Sequence, residues 1–364
     1  MKKLLILLMV LAMSLFLFIG CGEDAAGDED VNEEGTENGE EVAEEEEEEQ
    51  DEAITEGSVA LVGLGHNISI ARSRDMSDED TAQAQADVTA AAVGFDADGT
   101  IVSVSIDVAQ TRVAFDEDMQ VTSDKDALVP SKKELGDDYG MAAASGIDKE
   151  WYEQIEALEE WMIGQNIDDV LALDLNEDNA PDVADLHSSV TITVTSYLDA
   201  VEEAWENAVD AEGAETVGLG LRTYIDKSRD ASDEDNAQAQ VDTYVTATAF
   251  DADGTIVNTL IDVAQVRVAF DEDGQVESDR GAELQTKKER GDDYGMARVS
   301  EIEKEWYEQI EAFEAWLVGQ TIEEAMTVEL NDNDAPDVAD LESSVTITVT
   351  GYLSVVENAY DNAR

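Results

Sequence analysis

The chain has 364 residues, of which 43% are hydrophobic, which is enough for two domains with their own cores. It carries 89 acidic against 20 basic residues, a formal net charge of -69. This charge argues against nucleic acid or anionic lipid as a partner bound through a basic face, because both are polyanions.

The acidic excess is not confined to one tail. Residues 57–364 alone carry 70 acidic and 18 basic side chains. Self-repulsion at this density is relieved by salt, since the Debye length falls to about 3 Å at 1 M. The composition predicts a halophilic protein adapted to a saline habitat; the alternative is that the acidic surfaces bind Ca²⁺.

The N-terminal residues have the layout of a secretory signal. Lys2 and Lys3 precede an apolar run from Leu4 to Ile19, which is short for a bilayer span of about 20 residues. The ending Phe18-Ile19-Gly20-Cys21 resembles a bacterial lipobox. The resemblance implies a lipoprotein signal peptide at 1–20 and a lipid on Cys21, which would anchor the chain at the extracytoplasmic face of the cell membrane. The alternative is an uncleaved signal anchor.

Residues 21–56 are dominated by Glu and Asp and contain no aromatic side chain. Such a segment has nothing to form a core, so it predicts an acidic, disordered spacer. Cys21 is the only cysteine of the chain, so a lipid there would leave no thiol for a disulfide, a metal site or a nucleophile.

From about residue 57 the sequence repeats itself at a constant offset of 155 residues. Asp137–Met141 returns as Asp292–Met296, and Glu150–Gln154 returns as Glu305–Gln309. A period this long indicates a domain duplication, with repeat 1 at 57–210 and repeat 2 at 211–364.

Each repeat begins with strand patterns and ends with helix patterns. In repeat 1, strands are predicted over 85–95 and 101–108, joined by a hairpin turn at Asp96–Gly99. Ser145 and Asp148 form a capping-box pattern before a helix that reaches Met162, and further helices are predicted over 167–171 and through 197–209. The fold class is therefore α+β: two tandem homologous domains, each an antiparallel sheet followed by packed helices.

A seven-residue stretch near the end of each repeat combines an acid, a serine and a threonine. These are Asp185, Ser188 and Thr191 in repeat 1, and Asp340, Ser343 and Thr346 in repeat 2. A hydroxyl at a helix N-terminus, beside free backbone N–H groups, suits a phosphate ester. The alternative is that Asp185 or Ser188 only caps the following helix.

This stretch resembles the motif of the bacterial FMN-binding domain of extracytoplasmic flavoproteins, which reads Asp, two variable residues, then Ser-Gly-Ala-Thr. The resemblance implies FMN as cofactor, bound at the six residues above and esterified to Thr191 and Thr346 by a flavin transferase. It also implies redox partners. Ser189-Val190 and Ser344-Val345 stand where the family has Gly-Ala.

The remaining motifs concern histidines, a glycine pair, acidic loops and paired lysines. His66 and His187 become Leu221 and Glu342 in repeat 2, which excludes a histidine-based chemistry shared by both copies. Gly63-Leu64-Gly65 lacks the third glycine of a dinucleotide fingerprint. The acidic loops and the lysine pairs each have two possible interpretations. The loops 176–182 and 331–337 are either calcium ligands or polar connections, and the pairs Lys132-Lys133 and Lys287-Lys288 either hold an anion or pair with Glu134 and Glu289.

Together these features predict a membrane-anchored lipoprotein with two FMN-binding-like domains that carries electrons. The alternative is a non-redox surface module that binds a ligand or an envelope component. In either case an electron-transfer or binding protein is favoured over a turnover enzyme, because no nucleophile–base pair recurs in both copies.

Overall fold

A computed structural model describes residues 58–364. The predicted signal peptide, the acidic spacer and Cys21 lie outside these residues. Within the described part, no helix is both long and apolar enough to cross a membrane. The elements of repeat 1 are β1 (Val59–Ser69), β2 (Gln83–Phe95), β3 (Ile101–Ala114), α1 (Lys132–Leu135), α2 (Trp151–Met162), α3 (Ile167–Leu171) and α4 (Thr195–Glu206). They are followed by β4 (Val209–Ala214), β5 (Thr216–Tyr224), β6 (Gln238–Phe250), β7 (Ile256–Ala269), α5 (Lys287–Arg290), α6 (Trp306–Leu317), α7 (Ile322–Met326) and α8 (Thr350–Asp361).

The strands form two antiparallel sheets, as the sequence predicts, but the first strands, β1 and β5, were not among the predicted strands. The first sheet has the order β3-β2-β1-β4 and the second the order β5-β6-β7. The predicted hairpin at Asp96–Gly99 is confirmed: the Asp96 carboxylate accepts hydrogen bonds from the backbone N–H groups of Asp98 and Thr100, at 2.9 and 2.8 Å. Gly99 adopts a φ of +82°, which glycine tolerates best. Each repeat is thus an α+β unit.

The two sheets pack against each other through their inner faces. Val88, Ala90 and Ala92 of β2 lie in one buried cluster with Val245 and Ala247 of β6. Successive side chains of a strand point to opposite faces, so the residues between them face the helices of their own repeat. The molecule therefore has four layers, with helices outside and sheets inside. Because both faces of each sheet are buried, the strands show only partial hydrophobic alternation.

Strand β4 adds an edge to the first sheet. Val209 pairs with Val62 and Ala214 with Val59, both on β1. The predicted repeat boundary at 210/211 therefore lies inside a strand. The prediction that the last helix of repeat 1 runs through Val209 is wrong, because α4 ends at Glu206 and Val209 has the extended conformation of a strand.

The start of α2 also differs from the prediction. The helix begins at Trp151, and Glu150 and Glu153 form the capping box in place of Ser145 and Asp148. Glu150 is buried, with only 7% of the residue exposed. Its carboxylate also accepts hydrogen bonds from the backbone N–H groups of Met141 and Ala142, at 2.7 and 2.9 Å. Glu150 therefore fixes both the helix start and the preceding loop. The apolar side chains that recur at helical spacing along α2, namely Trp151, Ile155, Leu158 and Met162, form a buried stripe.

Gly63 and Gly65 allow α4 to lie directly on β1. A Cβ atom at either position would come within 1.9 Å of a carbonyl oxygen of α4, that of Ala204 or Ala200. Gly218 and Gly220 meet α8 in the same way. The Gly-Leu-Gly pattern is therefore explained by close packing of helix on strand.

Candidate functional site: a cleft beside Thr346

Residues 184–189, which include most of the motif 185–191, form turns. His187 donates its N–H to the Val183 carbonyl at 3.0 Å, and Val190 donates to Leu186 at 2.9 Å. Helix α4 begins later, at Thr195, and its N-cap position is Val194, which makes no side-chain cap. The expectation that Asp185 or Ser188 caps this helix is therefore wrong, and so is the placement of the motif hydroxyl at a helix N-terminus.

A buried glutamine holds the threonine of each motif. The Gln154 side-chain oxygen accepts hydrogen bonds from the Thr191 backbone N–H at 2.9 Å and from its hydroxyl at 3.3 Å. Gln309 accepts the same bonds from Thr346, at 2.9 and 3.2 Å. The amide nitrogen of each glutamine is also bonded, so its orientation is fixed. Both threonines are nevertheless exposed at the surface.

Thr346 lies at a cleft of about 450 Å³ in repeat 2. Its walls come from the segment after the 3₁₀ turn Met296–Arg298, from α6, and from the two stretches that the sequence singled out. The lining residues include six with hydroxyl or carboxamide groups, namely Ser300, Gln309, Asn331, Asn333, Thr346 and Thr348. The volume falls within the range of small-molecule sites, about 300–1,000 Å³.

The loop Asn331–Asp337 forms one wall of this cleft. The Asn331 side-chain oxygen accepts the N–H groups of Asn333 and Ala335, and Thr348 donates its hydroxyl to the Asn333 carbonyl at 2.9 Å. The loop is thus a tight turn tied to the segment after the motif. Within residues 58–364, no group of three metal-ligating side chains forms at this loop.

The structure does not bring all the predicted site residues together. Thr346 lines the cleft, whereas Asp340 and Ser343 are exposed and lie outside its lining. Asp185 and Ser188 are likewise exposed in repeat 1. The acid, serine and threonine of the motif therefore do not converge on one point.

The charge of the cleft does not fit a phosphate group. Three carboxylates line it, from Glu301, Asp337 and Glu342, and none of the described lining residues is Lys or Arg. The Thr346 N–H is already bonded to Gln309, so it cannot also bind a phosphate oxygen without breaking that bond. Phosphate sites in proteins use cations or free N–H groups, so these residues fit a neutral or positively charged ligand better.

The paired lysines do not form an anion site. Lys132 is buried with its ammonium 5.0 Å from the ring centres of Tyr139 and Trp151, and this burial lowers its pKa to about 8. Lys133 pairs with the buried Glu159 at 2.6 Å. The predicted pairing with Glu134 is wrong, because Glu134 instead contacts Arg222 of the other repeat at 2.7 Å.

Repeat 2 contains the same buried pair with a different charge balance. Lys288 contacts Glu314 at 2.6 Å, and burial raises the pKa of Glu314 to about 7 despite this ammonium. Glu159 of repeat 1 has a second cationic neighbour, because the guanidinium of Arg364, from repeat 2, lies 3.5 Å from its carboxylate. At the repeat offset of 155 residues, the position that corresponds to Arg364 is the apolar Val209, so the sequence supplies no matching guanidinium for Glu314.

Sequence reasoning missed Gln154 and Gln309. The available signal was their position, one turn after Trp151 or Trp306 on the buried stripe of the helix. A polar side chain at a buried helix position needs a partner, and here the partner is the motif threonine.

The fold is α+β, with two face-to-face repeats and a polar cleft in repeat 2. Comparison of the chain with protein-family models, curated protein sequences and solved structures finds no match.

Proposed function

We propose that this chain is an extracytoplasmic, lipid-anchored binding protein, and that repeat 2 takes a small neutral or cationic polar ligand in the cleft beside Thr346. The observation that carries the proposal is the lining of that cleft. Apart from the Gln309 amide, which is already bonded within the fold, its carboxamides and hydroxyls can donate and accept hydrogen bonds. Its three carboxylates attract positive charge and repel anions.

One exposed apolar side chain at the cleft supports the same proposal. Val299 lines the cleft and is 83% exposed, although a large apolar side chain is usually covered. A ligand seated in the cleft would remove this surface from water, and each Å² of apolar surface so buried contributes about 25 cal/mol. Val299 therefore gives the polar cleft an apolar contact for the ligand.

The test compares probes of different charge. Binding of maltose, spermidine and FMN to the purified chain would be followed by calorimetry and by the change in melting temperature. We expect the neutral or the cationic probe to bind, and Asn333→Ala to weaken that binding. The matched control is Asp178→Ala, the corresponding position of repeat 1. Binding of FMN alone would refute the proposal.

A flavin carrier is the second candidate, because Thr191 and Thr346 are both exposed and held in the same way by a glutamine. The chain would be expressed with a flavin transferase and examined by in-gel fluorescence and intact mass. A mass increase from attached FMN would support this candidate if it is absent from the Thr191→Val and Thr346→Val variants and present in the Thr193→Val and Thr348→Val controls. An unchanged mass would exclude covalent attachment.

The membrane anchor is a separate part of the proposal and rests on the sequence at Cys21. Cys21→Ala should move the protein from the membrane fraction to the soluble fraction and abolish labelling by radioactive palmitate. A variant that stays in the membrane would instead indicate the uncleaved signal anchor.

A further inference from the structure

A second cavity, of about 320 Å³, lies on the seam between the two repeats. Leu64, His66 and Glu203 line it from repeat 1, and Asp262 and Glu289 line it from repeat 2. It is separate from the cleft of the proposed function.

His66 lines this cavity and lies between two carboxylates. Its side chain is only 7% exposed, and its Nε2 atom lies 3.0 Å from a carboxylate oxygen of Glu289. Its Nδ1 atom lies 3.1 Å from a carboxylate oxygen of Glu203. One potential ligand atom from each of these three residues lies within 4.8 Å of the other two.

The corresponding position on the other side of the seam provides an internal comparison. There Leu221 replaces His66 and Asn358 replaces Glu203, and Arg222 satisfies Glu134, the copy of Glu289. Asn358 still accepts the backbone N–H of Leu221 at 2.9 Å, as Glu203 accepts that of His66 at 2.7 Å. The fold therefore needs neither the imidazole nor the charge of Glu203.

The charges around His66 are unbalanced. Glu203, Glu289 and Asp262 contribute three carboxyl groups to the cavity, and Lys288 is the one lysine among its described lining residues, with its ammonium bonded to Glu314 at 2.6 Å. Burial lowers the pKa of His66, but Glu289 and Glu203 outweigh this effect and raise it. A proton on His66 still compensates only one negative charge, and a divalent cation would compensate more.

We propose that His66 Nε2 and the Glu289 carboxylate bind one first-row divalent transition-metal ion of the Zn²⁺ class. Their separation of 3.0 Å suits two donors on one ion with bonds of about 2.0–2.2 Å. The Glu203 carboxylate lies 3.1 Å from Nδ1, where a carboxylate behind a metal-bound histidine orients the ring. Water completes the coordination within the cavity.

The imidazole sets the selectivity of this site. Nitrogen ligands favour Zn²⁺ and its neighbours, whereas the exposed carboxylates of the acidic surface favour Mg²⁺ and Ca²⁺. Because His66 belongs to repeat 1 and Glu289 to repeat 2, the ion joins the two repeats.

The test is a calorimetric titration of the full chain with Zn²⁺ in the presence of excess Mg²⁺. Bound metal is first removed with EDTA. We expect one Zn²⁺ per chain, and an affinity about 10-fold or more lower in His66→Leu and Glu203→Asn. Both variants introduce the residue found at the other side of the seam, so they suit the fold. Zn²⁺ binding that is unchanged in His66→Leu would overturn the proposal.

A second readout separates a bound metal from a bound proton. The chain has only two histidines, so ¹⁵N NMR of the imidazole rings with His187→Gln as control assigns His66 directly. Zn²⁺ should shift the Nε2 signal of His66 and leave an Nδ1–H. Signals that remain those of a doubly protonated ring in the presence of Zn²⁺ would refute the metal site.

Discussion

Substitution of Gly218 by alanine tests the close contact between strand and helix that brings the end of each repeat onto its sheet. A Cβ atom at Gly218 would lie 1.9 Å from the carbonyl oxygen of Ala359 and 2.7 Å from its carbonyl carbon, whereas ordinary contacts are 3.4–4 Å. Both atoms belong to the backbone of α8 and cannot rotate away. The helix must therefore retreat from β5 by more than 1 Å.

The retreat of α8 lowers the free energy of unfolding by an amount that can be estimated. A gap of 0.5–1 Å already forfeits about a quarter to a half of the dispersion energy of the contacts across it. Helix α8 packs through five buried apolar side chains, namely Tyr352, Leu353, Val355, Val356 and Ala359. Overpacking typically costs about 1–3 kcal/mol, and we expect a loss near the upper end, about 3 kcal/mol, in the free energy of unfolding.

Urea denaturation followed by circular dichroism measures this loss. Gly146→Ala is the matched control, because a Cβ atom there has no neighbour within 4 Å and the backbone angle suits alanine. The control should stay within about 0.5 kcal/mol of the wild type. A Gly218→Ala variant as stable as Gly146→Ala would refute the explanation of the Gly-Leu-Gly pattern.

Three further predictions concern charge. Because the pKa of Glu314 is raised from 4.5 to about 7, the folded state keeps a proton that the unfolded state loses, so stability should fall as pH rises from about 4.5 to 7. At about 1.36 kcal/mol per pKa unit this gives roughly 3 kcal/mol, which Glu314→Gln should remove in urea titrations across that range; an identical pH profile in the variant would contradict it. Burial lowers the pKa of Lys287 to about 8, so the unfolded state holds the proton more tightly and stability should rise between pH 8 and 10; Lys287→Met should show a smaller rise in the same measurement. The net charge of -69 predicts a melting temperature that rises with NaCl, and a melting temperature unchanged by NaCl would contradict halophilic adaptation.

The sequence determined the fold class because its signals are local or periodic. The Asp96–Gly99 turn, the stripe through Trp151 and Leu158, and the 155-residue offset each depend on neighbouring residues or on simple self-comparison. These features established two α+β units with antiparallel sheets. Local signals were less reliable at the ends of elements, where Glu150 replaced the predicted cap because its carboxylate also binds Met141 and Ala142.

Only the tertiary structure decided which residues meet. Gln309 and Thr346 are 37 positions apart, and His66 and Glu289 are 223 positions apart, so no spacing rule connects them. The sheet-to-sheet packing of the two repeats creates the seam that joins the second pair. The motif at 340–346 was visible in the sequence. The turns that expose Asp340 and Ser343, and place Thr346 but neither of those two at the cleft, depend on packing against α6. Contacts between distant segments arise from the burial of whole faces, which a single sequence encodes only collectively.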